Sequence, residues 1–299
     1  MTTTEKDMVA VENRTKRPLG DILVDAGIIS KADAQRVAEL QRAKKIRFGE
    51  AAIQLGLISE ADIRYALSYQ YDYAYLPRSS GRITHSDLVA AYAPFSAEVD
   101  QLRAIRSQLK LRWFDQATNT QLAVVGAGRA EGGSYLAANL AIVFAQMGER
   151  TLLIDADMRH PRQHSLFKLD NTLGFSSLLA ERAEVSQVLK AISFMPGLDV
   201  IPAGPVPPNP LELLNRDSMQ QLLEWAGKSY DIVLIDTPSA STGSDAMIVA
   251  AKAGAAMLVA RANETKLADF NSLVAELKQS QINIVGSVLN DPPLIDVGG

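Results

Sequence analysis

The sequence predicts an α/β fold, a doubly wound and mostly parallel sheet, preceded by a small helical tandem-repeat domain. Three observations carry this expectation. Apolar, β-rich runs alternate with helical patterns through the second half of the chain. The residues able to do chemistry fall at the carboxyl ends of those runs, where open α/β sheets bind ligands. Residues 19–41 recur at residues 48–70 with a fixed offset of 29 positions.

The repeat comes first along the chain. Leu19-Gly20 aligns with Phe48-Gly49, Gly27-Ile28-Ile29-Ser30 with Gly56-Leu57-Ile58-Ser59, Ala32-Asp33 with Ala61-Asp62, and Gln41 with Gln70. Each copy reads as a short helix (Leu19 to Ala26 in the first), a glycine stop and a second helix. Gly27 and Gly56 suit the left-handed position that ends a helix. Ser30 and Ser59 suit N-caps, with Asp33 and Asp62 three residues on. Tyr71, Tyr73 and Tyr75 follow, and Pro77-Arg78-Ser79-Ser80-Gly81-Arg82 marks a linker or domain edge. The expected division is a disordered tail over 1–16, the repeat domain over 17–77, a linker over 78–95 and the α/β domain over 96–299.

In that last domain a helix is expected from Ser96, carrying Asp100, Arg103 and Arg106. Strands are expected at Gln121–Gly126, Thr151–Asp155, Leu198–Pro202, Asp231–Asp236, Ala255–Ala260 and Asn283–Leu289. Helices are expected between them at Tyr135–Met147, Leu211–Trp225, Asp245–Lys252 and Asp269–Gln279.

The first strand runs into Gly126-Ala127-Gly128-Arg129-Ala130-Glu131-Gly132-Gly133-Ser134 and then a helix. A phosphate-binding loop has this architecture: glycines admit backbone N–H groups to the phosphates, a lysine reaches the β/γ-phosphates, and a hydroxyl binds Mg²⁺. The sheet is therefore expected to be P-loop NTPase-like. Gly132 and Ser134 stand in register with such a loop, but Gly133 holds the lysine position. Candidate nucleotide contacts are Gly128, Arg129, Glu131, Gly132, Gly133, Ser134 and Tyr135. Asp155 and Asp157 end the second strand and Asp236 ends another, as carboxylates that hold Mg²⁺ or orient a nucleophile do. These three are the candidate catalytic residues, with Ser134 and Asp155 as candidate Mg²⁺ ligands. Arg159 and Arg162, just beyond, are placed to meet phosphate or a neighbouring subunit.

Composition removes other classes. The 299 residues include no Cys and three His, which excludes disulfides, thiolate metal sites and Cys nucleophiles. No apolar run reaches the roughly 18 residues that span a bilayer. Met1 to Arg17 is polar and charged, without a signal core, so a cytoplasmic location is expected. Residues 1–82 hold 13 Lys/Arg against 11 Asp/Glu, and the rest 17 against 23, so neither half carries the footprint of a nucleic-acid binder. No Gly-x-Ser-x-Gly elbow supports Ser-His-Asp chemistry. A dinucleotide fold fails because Gly126-Ala127-Gly128 lacks the third glycine at its spacing.

Several segments resemble a known family. Leu152–Arg162 (LLIDADMRHPR) looks like the Walker A′ segment of bacterial tyrosine kinases, and Ile232–Pro238 (IVLIDTP) like their Walker B. Pro202–Leu214 (PAGPVPPNPLELL) and Gly286–Asn290 (GSVLN) are similar to further runs of that family. Asp100-x-x-Arg103-x-x-Arg106 resembles the Glu-x-x-Arg-x-x-Arg helix through which these kinases form rings, with Asp for Glu. The likeness covers roughly Ser96 to Asn290 and best fits the chain-length-determinant kinases of the EpsG type, from exopolysaccharide loci. It implies ATP or ADP with Mg²⁺, a homo-oligomer, and a membrane polysaccharide copolymerase as partner, holding the chain against the inner membrane. The family's autophosphorylated tail is a C-terminal tyrosine cluster, whereas the last tyrosine here is Tyr230.

The tandem repeat resembles the MshEN domain of type II secretion ATPases, some of which bind cyclic di-GMP through Arg-Leu-Gly and Gln. That resemblance implies a site of Leu19, Gly20 and Gln41 in one copy and Arg47, Phe48, Gly49 and Gln70 in the other. Pro18 takes the first copy's arginine place and cannot donate to a guanine edge. Three functions follow as expectations: a kinase-like regulator of exopolysaccharide export, a non-catalytic regulator that senses cyclic di-GMP, and a MinD/ParA-like positioning ATPase. The last is disfavoured, because its sandwich-dimer lysine would fall at Gly128.

Overall fold

The computed structural model describes residues 18–60, 62, 63, 66, 76, 84–116 and 118–291. The expected disordered tail, Gln70, Tyr71, Tyr73 and Tyr75 lie outside the described residues. The chain divides into two compact units, Met1–Pro77 and Arg78–Gly299.

The first unit contains helices Leu19–Asp25, Lys31–Lys44 and Phe48–Gln54. Gly27 and Gly56 adopt φ of +67° and +66°, the left-handed geometry that stops a helix. Ser30 Oγ accepts from the Asp33 amide at 3.1 Å and Asp33 accepts in return from the Ser30 amide. Ser59 and Asp62 repeat that exchange at 3.3 and 2.8 Å. Ile22, Leu23, Ile29, Val37, Ala51, Ala52, Ile58 and Ala66 form the core. The glycine at the head of each copy is a packing requirement. A Cβ on Gly20 would meet the Phe48 ring at 2.9 Å, and one on Gly49 would meet Ile63 Cδ1 at 2.7 Å.

The second unit is built on a seven-stranded sheet in the order β3-β4-β2-β5-β1-β6-β7. The strands are β1 Gln121–Gly126, β2 Thr151–Asp155, β3 Lys190–Ala191, β4 Leu198–Ile201, β5 Ile232–Asp236, β6 Ala255–Arg261 and β7 Asn283–Asn290. All pairings are parallel except the short β3 on β4. The doubly wound P-loop NTPase-like sheet expected from the sequence is the one observed. β2 and β5 are buried throughout, which explains why they read as unbroken apolar runs.

Two expectations are revised. The helix expected at Leu211–Trp225 is two helices, Pro210–Leu214 and Asp217–Ser229, because Arg216 takes an extended conformation between them. Residues 84–95, expected as part of a linker, pack into the second unit. Thr84, Leu88, Ala90 and Ala91 are buried there. Asn139, fully buried in the helix Gly133–Ala145, accepts from the Ala90 amide at 3.0 Å and donates to the Asp87 carbonyl at 2.8 Å. The apolar run Leu88-Val89-Ala90-Ala91 is what this contact buries. Ser96 then caps the helix Ala97–Leu109 by accepting from the Val99 amide.

Candidate nucleotide-binding site

The loop after β1 is held by residues at and after the ends of β6 and β7 as well as by its own glycines. Gly132, at φ +95°, caps the helix Gly133–Ala145. A Cβ there would lie 2.1 Å from Asn290 Nδ2, which donates to the Glu131 carbonyl at 2.9 Å. Backbone geometry and space therefore both require glycine at this position. Arg261, at the end of β6, donates to the Ala130 carbonyl at 3.2 Å. Glu131 is buried and accepts from Thr265 Oγ at 2.5 Å. Its carboxylate lies against Gly126 and Gly128, where added Cβ atoms would come within 3.0 and 2.9 Å. Glu131 thus braces the loop from within.

Strand register places two carboxylates side by side: Asp155 of β2 is the partner of Asp236 of β5. Both are fully buried. Asp155 accepts from the amides of Asp157, Arg162 and Gln163 at 3.2, 3.0 and 2.9 Å. Asp236 accepts from Gln163 Nε2 at 2.8 Å, and the Ser134 hydroxyl lies close enough to lower its pKa. Gln163 also donates to the Ser134 carbonyl at 3.0 Å, so one side chain joins the loop to the strand end. Asp157 accepts from the Arg159 and His160 amides.

These elements enclose a cavity of about 460 Å³. All seven candidate nucleotide contacts line it: Gly128, Arg129, Glu131, Gly132, Gly133, Ser134 and Tyr135. Asp157, His160, Arg162 and Thr237 line it too, whereas Asp155 and Asp236 stand behind its wall. The two arginines after β2 separate here. Arg159 is engaged by Asp245, Nε to Oδ2 at 2.7 Å, while Arg162 faces the cavity. Tyr135 donates to Glu98 at 2.5 Å, and burial pushes its phenol above the usual range. In the helix Ala97–Leu109, Arg103 pairs with Asp100 at 2.8 Å and Arg106 donates to the Val143 carbonyl at 2.8 Å. Sequence reasoning missed Gln163, Thr265 and Asn290, since a lone amide or hydroxyl at an element boundary carries no pattern.

The donor set fits a hydrated Mg²⁺. Asp236 Oδ1 is buried without a hydrogen-bond donor among the described residues, beside the Ser134 hydroxyl and near Asp157. Without a cation the two strand-end acids are unfavourable as anions. Burial, and then the charge of Asp236, holds Asp155 well above the ordinary carboxylate value. Burial pushes Asp236 from 3.8 to about 7, against the Gln163 hydrogen bond and the nearby Ser134 hydroxyl. The folded state then keeps protons that the unfolded chain releases, so stability falls as pH rises from about 4 to about 7. In Mg²⁺-free buffer the melting temperature is expected to drop across that window, and Asp236→Asn to flatten the slope. An equal slope in the variant would remove Asp236 as its source.

The first unit has its own cavity, of about 660 Å³, lined by Pro18, Leu19, Gly20, Gln41 and Phe48 among others. Four of the seven residues expected for cyclic di-GMP therefore share one surface. Arg47 begins the helix Phe48–Gln54 as its N-cap residue and is exposed, and Gly49 is buried against Ile63.

Known proteins match this architecture. The family model described as "Cellulose biosynthesis protein BcsQ" matches residues 119–276. Tyrosine-protein kinase YwqD of Bacillus subtilis is 34% identical over 219 residues, covering 73% of this chain and 92% of YwqD. Tyrosine-protein kinase etk of Escherichia coli is 37% identical over 209 residues, 70% of this chain, but the match spans only 28% of etk. The solved kinase domain of etk superposes with a TM-score of 0.66 at 35% identity, covering 73% of this chain and 89% of that domain. The Pyrococcus horikoshii septum site-determining protein MinD, solved with Mg-ADP, shares the fold at a TM-score of 0.51 and 21% identity, over 58% of this chain and 74% of that one. Among the described residues no helix is long and apolar enough to cross a membrane. With the strand-end carboxylates, the loop and the helix behind it all in place, this chain belongs to the bacterial tyrosine-protein kinase family, within the wider group that the BcsQ description covers.

Proposed function

We propose that the chain is a regulator of exopolysaccharide biosynthesis or export, of the EpsG type. In this reading it binds ATP or ADP with Mg²⁺ in the 460 Å³ cavity and transfers phosphate slowly or not at all. The observation that carries this reading is the cavity itself: loop, hydroxyl and carboxylates are assembled, and Gly133 stands where the lysine belongs. Ser134 would hold the cation with Asp236 and Asp157, while Asp155, expected from the sequence as a Mg²⁺ ligand, is instead occupied by the amides of Asp157, Arg162 and Gln163. Mg²⁺, when bound, supplies positive charge beside the phosphates. Calorimetry with Mg-ADP on the full chain tests binding, and phosphotyrosine detection after incubation with Mg-ATP tests transfer. Absence of binding would remove the reading.

The membrane polysaccharide copolymerase is the proposed partner, placing the chain at the inner membrane. Self-association would run through the helix Ala97–Leu109. Asp100, Arg103 and Arg106 would carry the exchange with a neighbour. Arg103→Glu is expected to lower the mass of the assembly in light scattering, and an unchanged mass would remove this helix from the interface.

A second reading rests on the cavity of the first unit. It is proposed to take cyclic di-GMP, with one guanine on Leu19, Gly20 and Gln41 and the other on Arg47, Phe48 and Gly49. Arg47→Ala is expected to weaken binding by about tenfold or more, the loss of one charge-assisted hydrogen bond. Unchanged affinity in calorimetry would make the repeat a docking module.

A further inference from the structure

We infer that Arg162 supplies the cation that the phosphate loop lacks. The inference rests on the nucleotide-binding reading above and names the residue that would read the phosphates there.

Lysine is missing at Gly133, and nothing else on the loop's helix replaces it. The cavity is lined by two arginines, Arg129 and Arg162. Other cations close by are committed: Arg159 is held by Asp245 and Arg261 by the Ala130 carbonyl. Arg162 differs from Arg129 in how its backbone is fixed. Its amide donates to Asp155 at 3.0 Å, and the next residue, Gln163, bonds Asp155, Asp236 and the Ser134 carbonyl. The stem of Arg162 is therefore anchored at the cation corner, between the two strand ends and the loop. Its charge is near enough to lower the Asp236 carboxyl's pKa. Among the described residues no carboxylate forms an ion pair with its guanidinium, and the side chain is exposed on the cavity side. A planar guanidinium at that place presents two parallel N–H donors to phosphate oxygens, where lysine would present a point charge. Arg129, by contrast, lies within the loop itself, next to Ala130, whose φ is +59°.

The test is calorimetric titration of the full chain with Mg-AMP, Mg-ADP and Mg-ATP, for wild type, Arg162→Gln, Arg162→Lys and Arg129→Ala. Arg162→Gln should weaken ADP and ATP binding by about tenfold or more and AMP binding much less. Arg162→Lys should recover part of the loss, and Arg129→Ala should lose less than Arg162→Gln. Melting temperatures without nucleotide should match wild type, since Arg162 is exposed; a lowered one in the Gln variant leaves the Lys variant and the AMP-to-ATP trend to decide. Wild-type ADP affinity in Arg162→Gln, or an equal or larger loss in Arg129→Ala, would overturn the inference and leave the nucleotide site standing. No binding by wild type would overturn both.

Discussion

Gly133→Lys is expected to raise ATP turnover at least tenfold above wild type in a Mg²⁺-dependent phosphate-release assay. The site has room for the side chain: a Cβ on Gly133 would meet nothing within 4 Å. The backbone is permissive as well, because Gly133 opens the helix Gly133–Ala145 with ordinary helical geometry while the left-handed residue is Gly132. Replacing a helical glycine by lysine also favours the helix by up to about 1 kcal/mol. The gain in rate comes from charge. Electrostatic stabilisation is the main catalytic term in phosphoryl transfer, and about 1.4 kcal/mol at the transition state is already tenfold. A rate equal to wild type would mean that the native site already holds its full complement of positive charge.

The sheet was legible because its signal is redundant. β1, β2 and β5 are apolar runs ended by chemistry-bearing residues, and those ends fall where parallel strands place them. The neighbouring positions of Asp155 and Asp236 needed the strand order, which no local pattern contains. The same holds for the braces of the loop. Thr265 and Asn290 lie 134 and 159 residues from Glu131, and each contributes one hydrogen bond. The repeat was legible from its offset and capping pattern. The packing of residues 84–95 was not, because the Pro/Ser/Gly cluster before them dominates the local composition, while the partner, Asn139, is 49 residues beyond Ala90.

The largest stability effect is expected at Arg159. Its guanidinium donates to both carboxylate oxygens of Asp245, at 2.7 and 3.4 Å, and joins the segment after β2 to the start of the helix Asp245–Ala253. The Asp245 side chain is 2% exposed. Arg159→Ala therefore leaves a buried carboxylate without its counter-charge, at a cost of about 3 kcal/mol. In a domain of this size that lowers the melting temperature by roughly 6–12 °C. The helix N-terminus at Asp245 offsets part of the loss, since its amides favour a negative charge. Arg150 and Asp231 provide the contrast. Their contacts are as short, at 2.7 and 3.1 Å, but their side chains are 60% and 39% exposed. Water and salt screen such a pair, so Arg150→Ala should cost about 1 kcal/mol or less. Burial rather than bond length sets the ranking. In a double-mutant cycle, Asp245→Asn should recover much of the Arg159→Ala loss, because the neutral amide needs no counter-charge. Equal melting shifts for Arg159→Ala and Arg150→Ala would show that the first pair is solvated as freely as the second.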